Sequence, residues 1–178
     1  GIIFKADRDC GDQILSIENL SKTSPEGTPY FSNITFTLTK GDKVAILSKE
    51  HIAITTFFEI LNEEETADKG TCTWGSTITK SYLPNENSKF FTDDLNLIDW
   101  LRQFSKDKDE TYIRSFLGRM LFTGEETFKK SNVLSGGEKV RCMVSRMMLT
   151  NANCLILDEP TNHLDLPAIE WLESELAG

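Results

Sequence analysis

The sequence predicts an α/β fold with a helical insertion, and three observations support this prediction. Strand-like alternation fills most of the first 83 residues, and helical periodicity dominates from about residue 93 onward. A short apolar strand and a final helix then close the chain. Strands, then helices, then again a strand and a helix form the order expected of a sheet-based domain that contains an inserted helical segment.

The first predicted strands lie in the amino-terminal quarter of the chain. Residues 14–18 and 33–39 alternate between apolar and polar side chains, which is typical of half-buried strands. The SPEG sequence at residues 24–27 predicts a turn between them. Residues 44–47 form a continuous apolar run, which predicts a fully buried strand.

The middle of the chain changes from strand patterns to helical patterns. Residues 55–61 predict a helix, and residues 71–74 and 78–83 predict two further strands. Apolar side chains then recur at the spacing of one helix face from about residue 93 to residue 128, and again from residue 138 to residue 149. The helical part is therefore expected to cover about residues 93–150.

Composition excludes several classes of protein. The chain has 178 residues, with 28 acidic and 19 basic side chains and a formal net charge of −9. This balance argues against direct DNA binding, because no basic stripe is present to neutralise phosphates. No apolar run approaches the roughly 20 residues that a membrane-spanning helix needs.

The cysteines and the amino terminus predict a cytoplasmic protein. The four cysteines are scattered without a CxxC pair, and the two histidines do not complete a metal-binding set. We therefore expect reduced thiols. The first residues, GIIFKADRD, do not form a signal peptide, because their apolar stretch is only three residues long and charged residues follow it.

The strongest functional pattern is LSGGEK at residues 134–139. Two glycines stand at the expected start of a helix, where backbone N–H groups and the Ser135 hydroxyl can meet an anion at the positive helix end. An ordinary glycine-containing turn with Ser135 as a helix cap is the structural alternative.

A second pattern follows about twenty residues later. CLIL at residues 154–157 predicts a buried strand, and Asp158 and Glu159 come directly after it. This is the Walker B arrangement, in which the first carboxylate holds Mg²⁺ and the second orients or deprotonates the attacking water. Pro167 then starts the last predicted helix at a favoured first-turn position.

These two patterns resemble the signature, Walker B and D-loop motifs of ABC ATPases. The sequence DEPTNHLD at residues 158–165 is similar to that of the ABC-F subfamily, whose members carry two nucleotide-binding domains in one chain, have no transmembrane part and act on ribosomes. The resemblance covers roughly residues 14–176. It implies that residues 1–12 are a linker or tail. It also implies that residues 13–178 form an ABC-type P-loop ATPase domain with an antiparallel β-subdomain and a helical insertion, placed second in its protein.

The resemblance also implies roles for individual residues and the cofactors ATP and Mg²⁺. Glu159 is the expected catalytic base, and Thr55, Asn85 and Asp158 are the expected metal ligands. The expected nucleotide-binding positions are Ser48, Ala53, Ile54, Thr55, Thr56, Ser135, Gly136, Gly137 and Glu138. An alternative role for Thr55 is that of a helix cap.

The chain departs from the family at the phosphate-binding loop. In place of GxxGxGK[ST][ST], residues 48–56 read SKEHIAITT, so that all three glycines are replaced and the lysine is Ile54. Glycines permit positive φ and close approach of the backbone to phosphate, whereas Ala53 adds a Cβ. The lost lysine removes a charge-assisted bond worth about 1.5–3 kcal/mol. The isolated chain is therefore expected to be weak or inactive.

Other positions leave structural alternatives open. Thr23 and Ser24 stand where the family places the aromatic residue that stacks on adenine, and Tyr30 and Phe31 are expected to be core or turn residues. Asn85 stands where the family has glutamine. The three tryptophans are expected to pack, the methionines after the signature to lie in the core or a dimer face, and Arg141 and Arg146 to lie on a solvated helix face.

The family pattern also continues beyond the D-loop helix, to a last strand and a switch histidine. The 178 residues contain neither of these features, since His163 lies within the D-loop motif. We therefore expect the chain to be a truncated domain of a longer protein.

These inferences lead to one main hypothesis and two alternatives. The chain is expected to lend its signature loop and Walker B residues to composite ATP sites of a cytoplasmic, ribosome-associated ATPase, with a second ABC domain or a homodimer mate as partner. Ribosome contact is expected through segments outside this chain. The alternatives are a non-catalytic dimerisation or interaction module and a transporter ATPase subunit.

Overall fold

The computed structural model describes residues 2–4, 12–42, 44–158 and 165–177. They form an α/β fold of two compact units. The first unit comprises the described residues up to Tyr82 together with Asn153–Asp158, and the second comprises Leu83–Ala152 together with residues 165–177. The elements in chain order are β1 (Ile2–Phe4), β2 (Gln13–Thr23), β3 (Pro29–Thr39), α1 (His51–Leu61), β4 (Lys69–Trp74), β5 (Lys80–Leu83), α2 (Leu97–Arg102), α3 (Glu110–Arg119), α4 (Gly136–Thr150), β6 (Cys154–Leu157) and α5 (Leu166–Ala177).

One sheet of the first unit is antiparallel, with the strand order β3-β2-β4. Leu15 on β2 pairs with Leu38 on one side and with Trp74 on the other. The alternation that predicts strands at residues 14–18 and 33–39 reflects this arrangement, because one face of each strand is covered by the core. Both predictions are confirmed, as is the strand predicted at residues 71–74.

The other sheet has the order β1-β6-β5, so that β6 is its central strand. Ile2 pairs with Ile156 and Phe4 with Cys154 in antiparallel register. The predicted strand at residues 154–157 is therefore confirmed. Residues 1–12 were predicted to be a linker or tail, but Ile2–Phe4 form the strand β1.

The prediction of a fully buried strand at residues 44–47 is wrong. Val44 forms an isolated bridge, no strand follows it, and the side chain of Leu47 is 92% exposed. Val44 and Ile46 still pack against the core. The physical reason lies in β6, whose two edges are taken by β1 and β5, so that this apolar run finds no place beside it.

Helix α1 closes the core of the first unit. It begins at His51, four residues before the predicted start, and buries Phe57, Phe58 and Leu61 against the side chains of β2. The Phe31 ring meets the Phe57 ring edge-on with centroids 5.4 Å apart, as expected for a core residue. The Trp74 indole donates to the carbonyl oxygen of Leu61 at 2.9 Å, which gives it a packing role.

The second unit is helical, as predicted for about residues 93–150, although the region is divided into short helices. The Asn96 side chain caps α2 and the Asp109 side chain caps α3. Trp100 is fully buried on α2 and donates to the carbonyl oxygen of Phe90 at 2.7 Å. The methionines of α4, namely Met143, Met147 and Met148, are buried.

None of the helices in the described part of the chain is long and apolar enough to cross a membrane. The described cysteines, which are Cys72, Cys142 and Cys154, are free thiols. Burial raises the pKa of Cys72 to about 11, which keeps this thiol protonated and unreactive at neutral pH.

Candidate nucleotide-binding site

Two of the predicted metal ligands lie together in the first unit. Asp158 follows the central strand β6 directly, and Thr55 lies in the second turn of α1, 103 residues earlier in the sequence. The Thr55 hydroxyl donates to Oδ2 of Asp158 at 3.1 Å. The fold therefore joins the hydroxyl and the carboxylate on which the sequence prediction depends.

The Asp158 carboxylate has the properties of a metal ligand. The residue is fully buried, and its Oδ1 has no hydrogen-bond partner among the described residues. An orphaned carboxylate oxygen is costly unless a cation or water satisfies it. Oxygen ligands from one carboxylate and one hydroxyl suit Mg²⁺, which usually keeps several waters and adds phosphate oxygens. The residues present therefore fit this ion.

The described residues contain no group of three or more histidine, cysteine or acidic side chains that could hold a metal ion. An all-protein cage is therefore absent from this part of the chain. A two-ligand arrangement suits a divalent cation that keeps several waters, some of which the phosphate oxygens of a nucleotide can replace.

Tyr82 is a third member of this cluster that sequence reasoning missed. It lies on β5, the strand beside β6, and its hydroxyl lies 3.4 Å from Oδ2 of Asp158. Burial and the nearby acidic groups, Asp158 first among them, raise the pKa of Tyr82, so that the hydroxyl stays protonated. Its position at the end of β5, three residues before Asn85, is the only sequence signal that could have identified it.

The segment before α1 does not form a phosphate cradle. Ser48 is exposed, and its hydroxyl oxygen accepts the backbone N–H of Glu50 at 3.1 Å. The N–H groups of Ala53 and Ile54 donate to the carbonyl oxygen of Glu50, at 3.1 and 3.4 Å. A phosphate-binding nest needs successive N–H groups directed at the ligand, whereas these two are used within the chain.

Ile54 has a structural role at the position of the family's lysine. Its side chain is only 6% exposed and belongs to the apolar core of the first unit, whereas Ile52 on the same helix is 56% exposed. Ala53 is also buried. Thr56 donates to the carbonyl oxygen of Ile52 at 2.7 Å, so that its hydroxyl is engaged within α1. Position 54 itself therefore supplies no cation.

The signature residues lie in the second unit, where LSGGEK forms the start of α4. Ser135 is the N-cap, and its hydroxyl oxygen accepts the N–H of Glu138 at 3.2 Å. In return, Oε1 of Glu138 accepts the N–H of Ser135 at 3.0 Å, which completes a capping box. Gly136 and Gly137 are the first two helical residues, and neither has a side chain of its own that could cover the backbone there.

A lysine reinforces this helix start. The Lys129 ammonium lies 2.6 Å from Oε2 of Glu138. Burial acts to raise the pKa of Glu138, but the bonds from Lys129 and Ser135 outweigh it and hold the pKa below its usual range. The Ser135 hydroxyl acts as an acceptor of the Glu138 N–H, so that its proton is not used in the capping box.

The same helix carries two arginines that differ from their predicted solvated role. The Arg141 side chain is largely buried, its Nε lies 2.8 Å from Oδ2 of Asp165, and its guanidinium lies over the Phe122 ring. The Arg146 guanidinium lies between two rings, 4.8 Å from the Phe90 centroid and 4.4 Å from that of Phe104. Both arginines stabilise the helical unit, because their long side chains pack as well as carry charge.

Two further site residues were predicted from the sequence, Asn85 and Glu159. Asn85 is exposed and lies two residues after β5, in the second unit. Glu159, the predicted catalytic base, lies outside the described residues, as do residues 160–164 of the D-loop motif. Their roles remain predictions.

Comparisons with known proteins agree with this geometry. A family model described as ABC transporter matches residues 31–162. The chain is 51% identical over 175 residues to the uncharacterized ABC transporter ATP-binding protein YkpA of Bacillus subtilis. This alignment covers 97% of the chain and 32% of YkpA. It is 29% identical over 171 residues to the energy-dependent translational throttle protein EttA of Escherichia coli K12. This alignment covers 93% of the chain and 30% of EttA.

A solved structure supports the fold. cbiO1 of Clostridium perfringens, part of the ABC transporter complex cbiONQ, superposes with a TM-score of 0.64 and 20% identity over 93% of this chain and 73% of that one. The chain spans about a third of the length of the two curated relatives named above.

The matched region contains the capped LSGGEK helix and the strand that leads to Asp158. It covers well over half of the chain, and the α/β fold agrees with that of solved ABC domains. The chain therefore belongs to the ABC transporter family and has the fold of an ATP-binding cassette ATPase domain.

Proposed function

We propose that the chain is a nucleotide-binding domain of a two-domain ABC-F ATPase, in which it lends its signature loop to an ATP site completed by the partner domain. Its own phosphate-binding segment is degenerate. One contrast carries this proposal: the signature helix has a complete capping box, whereas Ile54 is buried in the core at the lysine position.

The asymmetry follows from how ABC domains share their sites. In this family ATP lies between the Walker A loop of one domain and the signature of the other. The Ser135 hydroxyl and the N–H groups at the start of α4 would bind the γ-phosphate of a nucleotide held by the partner. The required partner is a second ABC domain of the same protein or a homodimer mate.

The site on this chain retains part of its chemistry. Thr55 and Asp158 would hold Mg²⁺, which supplies charge neutralisation on the β- and γ-phosphate oxygens when it is bound with ATP. Glu159 would accept the proton of the attacking water. Ile54 and Ala53 leave the phosphates without the lysine and without a glycine cradle, so that nucleotide affinity is low.

The ABC-F assignment rests on the DEPTNHLD motif and on the similarity to EttA, whose name describes a translational throttle. A cytoplasmic protein that contacts the ribosome through segments outside this chain follows from it. A transporter subunit is the competing assignment, and the name of YkpA and the likeness to cbiO1 favour it. Co-sedimentation of the full-length protein with ribosomes supports the first assignment, and co-purification with a membrane partner supports the second.

A non-catalytic dimerisation module is the second candidate function. The observation that favours it is the packing of Ile54 into the core, because a side chain used for folding has no part in binding phosphate. In that case Asp158 and Glu159 are relics of an ancestral site.

Steady-state ATPase assays of the full-length protein separate the two candidates. Ser135→Ala is expected to lower turnover at least tenfold, because it removes a transition-state contact in the shared site. Asp109→Ala is the matched control, since it removes an N-cap of α3 without touching the signature. Unchanged turnover in Ser135→Ala would support the non-catalytic module.

Glu159→Gln tests the Walker B carboxylate in the same assay. Loss of a substantial share of turnover contradicts the view that Walker B is a relic. Glu173→Gln, on the exposed side of α5, controls for the loss of one negative charge.

A further inference from the structure

Two hydroxyl groups meet at one oxygen of the buried Asp158 carboxylate. Thr55 Oγ1 lies 3.1 Å and Tyr82 Oη 3.4 Å from Oδ2. The other oxygen, Oδ1, is buried and has no hydrogen-bond partner among the described residues. The two oxygens of one carboxylate therefore have unequal surroundings.

This inequality has a consequence for metal binding. The terminal torsion of an aspartate is broad, so that a carboxylate held by one donor can turn and exchange its oxygens. Two donors on Oδ2 oppose that rotation. Oδ1 then stays available to a cation. Because the carboxylate is already oriented in the folded chain, cation binding costs less conformational entropy.

We propose that Tyr82 is a positioning residue for the metal ligand Asp158, holding Oδ2 through its hydroxyl so that Oδ1 stays available to a divalent cation. The inference rests on the Thr55–Asp158 metal pair of the proposed function. Tyr82 does not itself bind the cation or the nucleotide.

The surroundings of Tyr82 fit this role. The residue lies on β5, beside the strand that ends at Asp158. Its ring packs against the core of the first unit and lies 6.4 Å from the ring of Phe58. The core thus holds the ring, and the hydroxyl alone reaches the carboxylate. Replacement by phenylalanine removes the donor and keeps the ring in place.

Mn²⁺ binding to the chain, followed by electron paramagnetic resonance without nucleotide, tests the proposal. Tyr82→Phe is expected to weaken Mn²⁺ binding about three- to tenfold, the range that loss of one net hydrogen bond gives. Asp158→Asn is expected to abolish this binding. Tyr112→Phe removes a hydroxyl far along the chain on α3 and is expected to bind as the unchanged chain does.

Phe58→Leu separates positioning from general packing. It disturbs the core beside Tyr82 and keeps the hydroxyl, so that it is expected to lower the unfolding midpoint without changing Mn²⁺ affinity. Circular dichroism of each variant confirms that the fold is present at the assay temperature. Equal weakening in Phe58→Leu and Tyr82→Phe would overturn the positioning role.

The remaining outcomes distinguish this inference from the proposed function. If Asp158→Asn abolishes binding and Tyr82→Phe binds within twofold of the unchanged chain, the role of Tyr82 is wrong and the metal pair stands. If Asp158→Asn binds Mn²⁺ as the unchanged chain does, or if neither binds it, the metal pair itself is wrong and the role of Tyr82 fails with it.

Discussion

Position 54 is where this chain lacks the phosphate-binding side chain of the family motif. The family uses a lysine there to reach phosphate, and this chain has an isoleucine that is 6% exposed among the side chains of the core. The change exchanges a ligand contact for apolar burial. A fully buried isoleucine contributes about 1.5–3 kcal/mol to folding, so that the position now serves stability.

Ile54→Lys is therefore expected to destabilise the chain without restoring ATP binding. A buried, unpaired ammonium costs about 3–5 kcal/mol, which urea unfolding measures directly. Ile52→Lys is the matched control on the same helix, and its 56% exposure predicts a change within about 0.5 kcal/mol. A stable Ile54→Lys chain with raised ATP affinity would show that this side chain can face the phosphate site.

Some contacts of the candidate site could be predicted from the sequence, and others could not. The pairing of Thr55 with Asp158 could be expected, because a family resemblance supplied both positions. The contact of Tyr82 with Asp158 joins residues 76 positions apart in the sequence and depends on β5 lying beside β6. No local pattern encodes that distance. The ion pair of Arg141 with Asp165 was missed for the same reason.

At the scale of elements, the start of α4 depends on a charge network that responds to pH. Bonds from Lys129 and Ser135 outweigh the effect of burial and hold the pKa of Glu138 below its usual value of 4.5. A carboxyl whose pKa is lower in the folded state contributes stability above the unfolded-state pKa. That contribution is lost as the pH falls through the lower folded-state value, so that the sensitive range lies below about pH 4.5.

Glu138→Gln is expected to reduce the free energy of unfolding by about 0.2–1 kcal/mol at pH 7, since the amide keeps the cap and loses the ion pair. The difference from the unchanged chain should shrink as the pH falls below 4.5. Urea titrations at both pH values measure it, with Glu173→Gln as the control outside this network. A difference that stays constant with pH would contradict the assigned role of the charge.

The start of β4 depends on one glycine. Gly70 has φ +87°, and a Cβ built there would overlap the backbone oxygens of Glu18 and Asn19 on β2. Gly118, near the end of α3, has no atom within 4 Å of such a Cβ and a helical backbone.

Gly70→Ala is expected to lower the free energy of unfolding by about 2 kcal/mol or more, because both the backbone conformation and the neighbouring strand oppose the added carbon. Gly118→Ala is expected to raise it by about 0.5–1 kcal/mol, since alanine favours a helix. Thermal and urea unfolding of the two variants check both signs. A neutral Gly70→Ala would contradict the β2–β4 packing described above.

Element prediction succeeded where a single face of an element is buried. The alternation of β2 and β3 and the helical periodicity of α3 and α4 follow directly from one-sided burial. The prediction of a strand at residues 44–47 was wrong because an apolar run indicates burial and does not indicate which strand it pairs with. The strand β6 already has a neighbour on each edge. The pairing of Ile2–Phe4 was missed because three residues are too few to show a period.

At the scale of the molecule, the chain combines a signature helix that is fully formed with a phosphate-binding segment that is not. Its net charge of −9 fits a domain whose anionic ligand is held by a partner and not by a basic surface of its own. Ribosome contact, in the proposed ABC-F protein, then belongs to segments outside this chain.

The proposed sharing of an ATP site between two domains leads to one expectation for the isolated chain. The chain alone should bind nucleotide poorly, and affinity should appear only when a domain with an intact phosphate-binding loop is joined to it. The reason, in the proposed function, is that the signature contributes to a site whose phosphates are held by the partner domain.

Titration of the 178-residue chain with a fluorescent ATP analogue and Mg²⁺ tests this claim most directly. The predicted result is no saturable binding up to about 100 μM nucleotide, well above the roughly 1 μM dissociation constant that corresponds to −8.2 kcal/mol. Asp158→Asn should leave that signal unchanged. Saturable binding near 1 μM that is lost in Asp158→Asn would contradict the account, because it would mean that residues 48–56 hold phosphate without the glycines and the lysine.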